Sequence, residues 1–309
     1  MDDVAISVRG LRKSYGDVEA VRGIDLEVRV GEVLAFLGPN GAGKTTTVEI
    51  LEGYRTRDGG EISVLGQDPQ VGGRGWRGRI GIVLQECRME PVLTVRETLS
   101  LYAGYYEAPR DVRETIDLVG LAGSADVRAG NLSGGQQRRL DVALALIGDP
   151  ELLFLDEPTT GFDPSARRQA WEVIANLRTL GKTVLLTTHY MEEAQHLADR
   201  VAIIRAGEIV AEGAPGQLGD RKTARTTIRF EAPTGVEPAD LPALAGTVAV
   251  RAAVNGRPAT IEIATGEPVA ALNALTGWAL ERGLALADLE VRRPSLEDVY
   301  LELTQEPAA

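Results

Sequence analysis

The stretch GPNGAGKTT, Gly38 to Thr46, limits the folds open to this chain more than any other. It fits G-x-x-x-x-G-K-[ST] in full, with the apolar run EVLAFLG (32–38) before it and a helical pattern, Lys44–Glu52, after it. A glycine-rich turn between a buried strand and a helix aims backbone N–H groups inward, and the helix N-terminus adds a positive dipole end. That arrangement suits a phosphate chain. Lys44 would bridge its terminal phosphates, and the Thr45 hydroxyl would ligate Mg2+. Only four lysines occur in 309 residues, so one inside such a loop is not surface filler.

The remaining apolar runs agree with a layered α/β core. RIGIVLQ (79–85), ELLFLDEP (151–158), KTVLLTTH (182–189) and RVAIIRAGEIVAEG (200–213) are mostly continuous, as parallel strands buried on both faces are. Ser165–Leu180 and Met191–Ala198 carry helical patterns between them. ISVRGLRKSYGDVEAVRGIDLEVRVGE alternates more strictly and predicts an antiparallel β layer at the edge. Residues 90–148 carry helical patterns without a strand and predict an inserted helical subdomain. Gly, Pro and charges cluster in GAPGQLGDRKTA, which sets a domain boundary. The reading is therefore a first domain over 1–218 and a small α+β domain over 223–309.

Composition narrows the function. A net charge of −12 disfavours a nucleic-acid partner, which selects for a basic face. The single cysteine, Cys87, forms no intrachain disulfide and fits a reducing compartment. MDDVAISVRG lacks the features of a secretory signal, and no run approaches the ~18 apolar residues of a membrane span. Any membrane role would come through a partner.

Two further stretches carry chemistry. LLFLDEP ends a buried run in two adjacent acids, which are expensive unless partnered. Asp156 would hold Mg2+ and Glu157, pointing the other way, would polarise an attacking water; the alternative is a solvent-exposed strand end. In NLSGGQQRRLDVALAL, Ser133 and Gln136 form a capping box for a helix whose buried face holds Leu140, Ala143, Leu144 and Ile147. Yet Gly134 and Gly135, weak helix formers, occupy its first turn. Bare N–H groups there suit the close approach of a phosphate. His189 and His196 on their own read as structural, and Gln85 alone says little.

Taken together, GPNGAGKTT, Gln85, LSGGQ, LLFLDEP, TTGFDP and TTH occur in the order and rough spacing of ATP-binding-cassette (ABC) ATPases. The resemblance runs from about Val4 to Gly213. TTHYMEEAQHLADR and the terminal RRPSLEDVYLELT resemble the daunorubicin-resistance branch of ABC-2 exporter ATPases. It implies a P-loop NTPase cassette with a RecA-like α/β core, an antiparallel β layer, a helical subdomain and a small C-terminal α+β domain. It also implies ATP and Mg2+ as ligands. Residues Gly38, Pro39, Asn40, Gly41, Ala42, Gly43, Lys44, Thr45 and Thr46 would hold the phosphates, and Tyr15 would stack on adenine. Gln85 would sense Mg2+ and the γ-phosphate. His189 would contact the γ-phosphate, Glu157 would act as base, and Asp156 and Thr45 would serve the metal. Ser133, Gly134, Gly135 and Gln136 would face the nucleotide of a second, homodimeric subunit, with Asp163 linking the two sites.

The implied function is the ATPase of an ABC-2 efflux transporter at the cytoplasmic face of the membrane. A separate transmembrane permease would handle a drug, antibiotic, lipid or glycan, its coupling helix resting on Gln85 to Leu101. An importer ATPase, or a soluble cassette ATPase acting on DNA or ribosomes, stands as the alternative. Phe162 departs from the leucine usual in its loop, and no N-K-x-D guanine motif occurs. The C-terminal domain shows no catalytic constellation and reads as a dimer-stabilising or regulatory module.

Overall fold

The computed structural model describes residues 4–84, 90–218, 226–233, 235–244, 246–251, 259–292 and 300. It divides into two compact units, Met1–Pro215 and Gly216–Ala309. Gln85, Cys87 and most of RRPSLEDVYLELT lie outside the described residues.

The first unit begins with β1 (Val4–Tyr15), β2 (Val18–Arg29), β3 (Val33–Leu37), α1 (Lys44–Leu51), β4 (Gly59–Val64), α2 (Arg74–Arg77) and β5 (Ile80–Val83). Three helices follow, α3 (Val95–Ala103), α4 (Val112–Leu118) and α5 (Gly134–Leu146), with no strand between them among the described residues. The unit continues through β6 (Leu152–Asp156), α6 (Pro164–Thr179), β7 (Thr183–Thr188), α7 (Met191–Leu197), β8 (Arg200–Arg205) and β9 (Glu208–Gly213).

Six of these strands form one sheet in the order β5-β6-β7-β3-β8-β9, parallel except for β8 with β9. β3 and β7 are buried along their whole length, which explains their lack of a polar face. Because β6, β7 and β3 are parallel neighbours, the segments after Asp156, Thr188 and Leu37 leave the sheet at one edge. Open parallel sheets bind ligands at such an edge. The run 200–213 is a hairpin and not a single strand, since Ala206 and Gly207 turn it with φ of 47° and 83°.

A second, antiparallel sheet of order β2-β1-β4 covers the core with Ile6, Val8, Ile24 and Leu26, packed in one cluster with Leu34 and Phe36 of β3. Helix α5 starts as its sequence predicts: Gln136 N donates to Ser133 Oγ at 3.3 Å and Ser133 N to Gln136 Oε1 at 2.9 Å. Its buried face is wider than the predicted stripe. Asp141, Val142, Ala145 and Leu146 are buried beside Leu140, Ala143 and Ile147, while Leu144 is half-buried.

A single turn, α8 (Pro215–Leu218), falls at the junction of the units. The second unit holds β10 (Thr226–Glu231), β11 (Thr247–Arg251), β12 (Thr260–Thr265), α9 (Pro268–Glu281) and β13 (Glu290–Arg292). Its antiparallel sheet has the order β11-β12-β10-β13. Alternating residues Ile228, Phe230, Ile261 and Ile263 pack with Ala271, Leu275 and Trp278 of α9 into a core of their own.

Candidate functional site

The loop after β3 is fixed by its own packing. Gly43 caps α1 with φ of 104°, and a Cβ there would lie 2.4 Å from the Ala20 carbonyl oxygen. Only glycine meets both demands. Ala42 is buried, and its carbonyl accepts from Gly207 N at 3.0 Å. Lys44 is 6% exposed and donates from Nζ to the carbonyls of Gly38 at 2.7 Å and Pro39 at 3.1 Å. Both acceptors are neutral, so the charge itself stays available to an anion. Burial pushes the Lys44 ammonium below its usual range, against the opposing charges of Glu157 and Asp156. Asn40, Gly41, Gly43, Lys44, Thr45 and Thr46 line a cleft of about 490 Å³ together with Tyr15 and Glu157. The first amides of α1 have no intrahelical acceptor and open toward ligands.

At the end of β6 the two acids take different side-chain partners. Asp156 accepts from the Thr187 hydroxyl of the neighbouring β7. Glu157 has a φ of 45°, left-handed for a residue with a side chain, at a cost of roughly 1–2 kcal/mol. Its amide donates to the Thr187 carbonyl at 3.2 Å and to Thr187 Oγ1 at 3.0 Å. Thr160 Oγ1 donates to Glu157 Oε2 at 2.9 Å, and His189 Nδ1 lies 3.3 Å from Glu157 Oε1. His189 is thus brought to the acid, and not only to a strand end.

A donor set of one hydroxyl and one carboxylate beside a phosphate loop suits Mg2+, which takes few protein ligands and fills the rest with phosphate oxygens and water. Thr45 and Asp156 offer that set. Tyr15 ends β1 and is 42% exposed, with Lys13 and Arg55 over its ring at 5.5 Å and 5.6 Å.

Asp156 and His189 stand next to this cleft's Glu157 without lining it, and the remaining predicted residues are not gathered into it. Ser133 and Gly134 are exposed, and Gly135 and Gln136 half-buried, at the start of α5; none of them lines it. A Cβ at Gly134 would meet nothing within 4 Å. Asp163 caps α6, accepting from Ser165 N at 2.8 Å and Ala166 N at 3.0 Å. Gln85 falls outside the described residues.

Arg138 and Glu193 are among the buried charges around the site that were not singled out from the sequence. Arg138 of α5 donates to carbonyls at the ends of β5 and β6. Glu193 of α7, fully buried, accepts from Thr159 Oγ1 at 2.8 Å and Trp171 Nε1 at 3.1 Å. Burial raises the Glu193 pKa against hydrogen bonds from Thr188, Thr159 and Trp171. A signal existed for both, because Arg138 shares helical spacing with Val142 and Ala145, and Glu193 with Leu197. A charge on an apolar helix face needs partners.

Comparison with known proteins agrees with this geometry. Residues 21–160 match the family described as ABC transporter, and residues 226–295 match the ABC transporter domain-containing protein-like C-terminal domain. The Nod factor export ATP-binding protein I of Rhizobium sp. (strain N33) is 41% identical, covering 98% of each chain. The daunorubicin resistance ATP-binding protein DrrA3 of Streptomyces coeruleorubidus is 38% identical, over 98% of this chain and 97% of that one. Among solved structures, cbiO1 from Clostridium perfringens, part of the transporter complex cbiONQ, matches with a TM-score of 0.64 and 28% identity over 72% of this chain and 92% of its own. A dimeric post-hydrolysis state of an ATP-binding cassette bound to ADP and Pi matches with a TM-score of 0.60 and 25% identity, over 68% and 98%.

Proposed function

Because the chain belongs to the ATP-binding subunits of ABC transporters, we propose that it drives an ABC-2 type exporter by hydrolysing ATP between two head-to-tail copies of itself. The observation that carries this reading is the meeting of Lys44, Thr45 and Glu157 in one cleft, with Asp156 next to Glu157 at the end of β6, while Gly134 stays exposed and outside that cleft. Half of a phosphoryl-transfer site is assembled within the chain. The other half is a bare helix start.

Phosphoryl transfer depends on positioning and charge stabilisation more than on covalent chemistry. The amides of residues 41–46 and Lys44 hold the phosphates, and Tyr15 stacks on adenine. Thr45 and Asp156 would hold Mg2+, which neutralises charge on the phosphates when bound. Glu157 accepts a hydrogen bond from the attacking water and turns its lone pair toward phosphorus. Thr160 donates a hydrogen bond to one of its oxygens, and His189 Nδ1 lies 3.3 Å from the other. Ser133, Gly134, Gly135 and Gln136 of the second copy close over the terminal phosphate, with Asp163 and Gln85 relaying between sites and toward the permease. A site divided between two chains is switched on by assembly, so ATP favours the closed pair and hydrolysis releases it.

Among the described residues, no helix is long and apolar enough to cross a membrane. A cleft of about 520 Å³ lined by Tyr54, Arg77, Tyr102 and Tyr106 adjoins the exposed Leu101, and this surface suits a permease's coupling helix. Membrane attachment would then be peripheral, at the cytoplasmic face. Exporter relatives spanning the whole chain support export of a drug, lipid or glycan over import.

Glu157→Gln tests the chemistry. The variant is expected to bind ATP with wild-type affinity, lose hydrolysis by about 100-fold or more and accumulate as an ATP-dependent dimer. Wild-type turnover would remove Glu157 as the base.

A further inference from the structure

Arg138 ties two parts of the cassette together. It lies on α5, five residues after Ser133, and is 8% exposed. Its Nε donates to the Pro158 carbonyl at 3.1 Å, and its Nη2 to the carbonyls of Asp156 at 2.8 Å and Glu157 at 3.4 Å. Nη1 donates to the Leu84 carbonyl at the end of β5, and also approaches Asp141 of its own helix at 3.7 Å. One guanidinium therefore grips the backbone around Glu157 and the residue that leads into Gln85.

The location matters because Glu157 is held in a left-handed conformation. Such a residue persists only where its surroundings over-determine it. Thr187 fixes its amide, and Arg138 fixes the carbonyls before it, of it and after it. A planar fork of five donors can meet divergent carbonyls at once, which a point-like ammonium cannot. The same helix begins at the bare Gly134 turn. We propose that Arg138 is a positioning residue that sets Glu157 of its own chain for hydrolysis and carries the docking of α5 on the opposite nucleotide to that acid. The second clause rests on the head-to-tail pairing proposed above; the first does not.

The test uses the full-length chain with Arg138→Met and Arg138→Lys, reading kcat, ATP affinity and melting temperature. Both variants should bind ATP within about twofold of wild type, while kcat falls about tenfold or more for Met and about fivefold for Lys. The lysine variant keeps a buried cation and carries the test if the methionine variant fails to fold. Turnover within twofold of wild type in a folded variant would overturn the proposal, as would an affinity loss that accounts for the whole effect.

Mixing variants then asks which chain's acid is served. Ser133→Arg mixed with Glu157→Gln should hydrolyse faster than either alone, because each mixed pair keeps one intact site. Arg138→Met mixed with Glu157→Gln should not, because the surviving Glu157 sits in the chain that lacks its arginine. Gain in that second mixture would overturn action within the same chain. If the serine control fails to gain, the head-to-tail pairing fails, and the split between kcat and affinity alone decides the role of Arg138.

Discussion

Helices α1 and α5 both begin at glycines, for opposite reasons. At α1, Gly43 is left-handed, no side chain caps the helix, and a Cβ would strike the Ala20 carbonyl. At α5, a complete capping box is present, Gly134 has open space around it, and a Cβ at Gly135 would only touch Ala166 at 3.4 Å. The first glycine is demanded by this chain's own packing. The second is not, although glycine is a poorer helix former than alanine by up to about 1 kcal/mol. That its own fold does not require this glycine fits the role proposed for it toward a second copy. The contrast separates a loop fixed by one copy's own packing from the half-site proposed to serve another molecule.

That contrast can be broken first at Gly43. Gly43→Ala forces both a left-handed alanine and a 2.4 Å clash, and should cost roughly 2–4 kcal/mol in unfolding free energy by denaturant titration. A variant as stable as wild type would remove the packing argument. Lys44→Ala should next lower ATP affinity about 100-fold, or about 2.7 kcal/mol, in a direct binding measurement. Unchanged affinity would take Lys44 out of the site.

A smaller effect sharpens the buried side of the comparison. Glu52, which ends α1, is 6% exposed and its pKa is pushed up to about 8, by burial first and then by the charges of Asp156 and Glu49. Between its ordinary range and pH 8 the folded chain keeps a proton that the unfolded chain releases, so stability is highest at low pH and falls as pH rises through 8. Glu52→Gln should lack this slope and be more stable than the wild type at pH 8, with little difference near pH 4.5. Parallel stability curves would contradict it. The smallest shift belongs to Gly134→Asp, an acid at a helix N-terminus with no neighbour to strike. Stability should stay within about 1 kcal/mol of wild type and lean upward.

Much of this was legible in the sequence because its signals are local. The strand–loop–helix around GPNGAGKTT and the box between Ser133 and Gln136 depend on residues close in the chain, and both formed. The parallel strands carried their burial in unbroken apolar runs. Arg138 escaped because its acceptors are backbone carbonyls 18 to 54 residues away, and every residue type offers a carbonyl. Glu157's left-handed backbone escaped for a related reason, since tertiary clamps at Thr187 and Arg138 hold it against local preference. The hairpin at Ala206–Gly207 had a turn signal that its apolar flanks outweighed.

The central claim, that Gly134 serves a nucleotide held by another copy, is tested most directly by sedimentation of Glu157→Gln with and without Gly134→Asp in ATP. Glu157→Gln should dimerise on ATP, while the double variant stays monomeric with the same ATP affinity and melting temperature, because the new carboxylate repels the opposite phosphate. A double variant that dimerises equally well, or that stays monomeric only because it no longer binds ATP, would contradict the account.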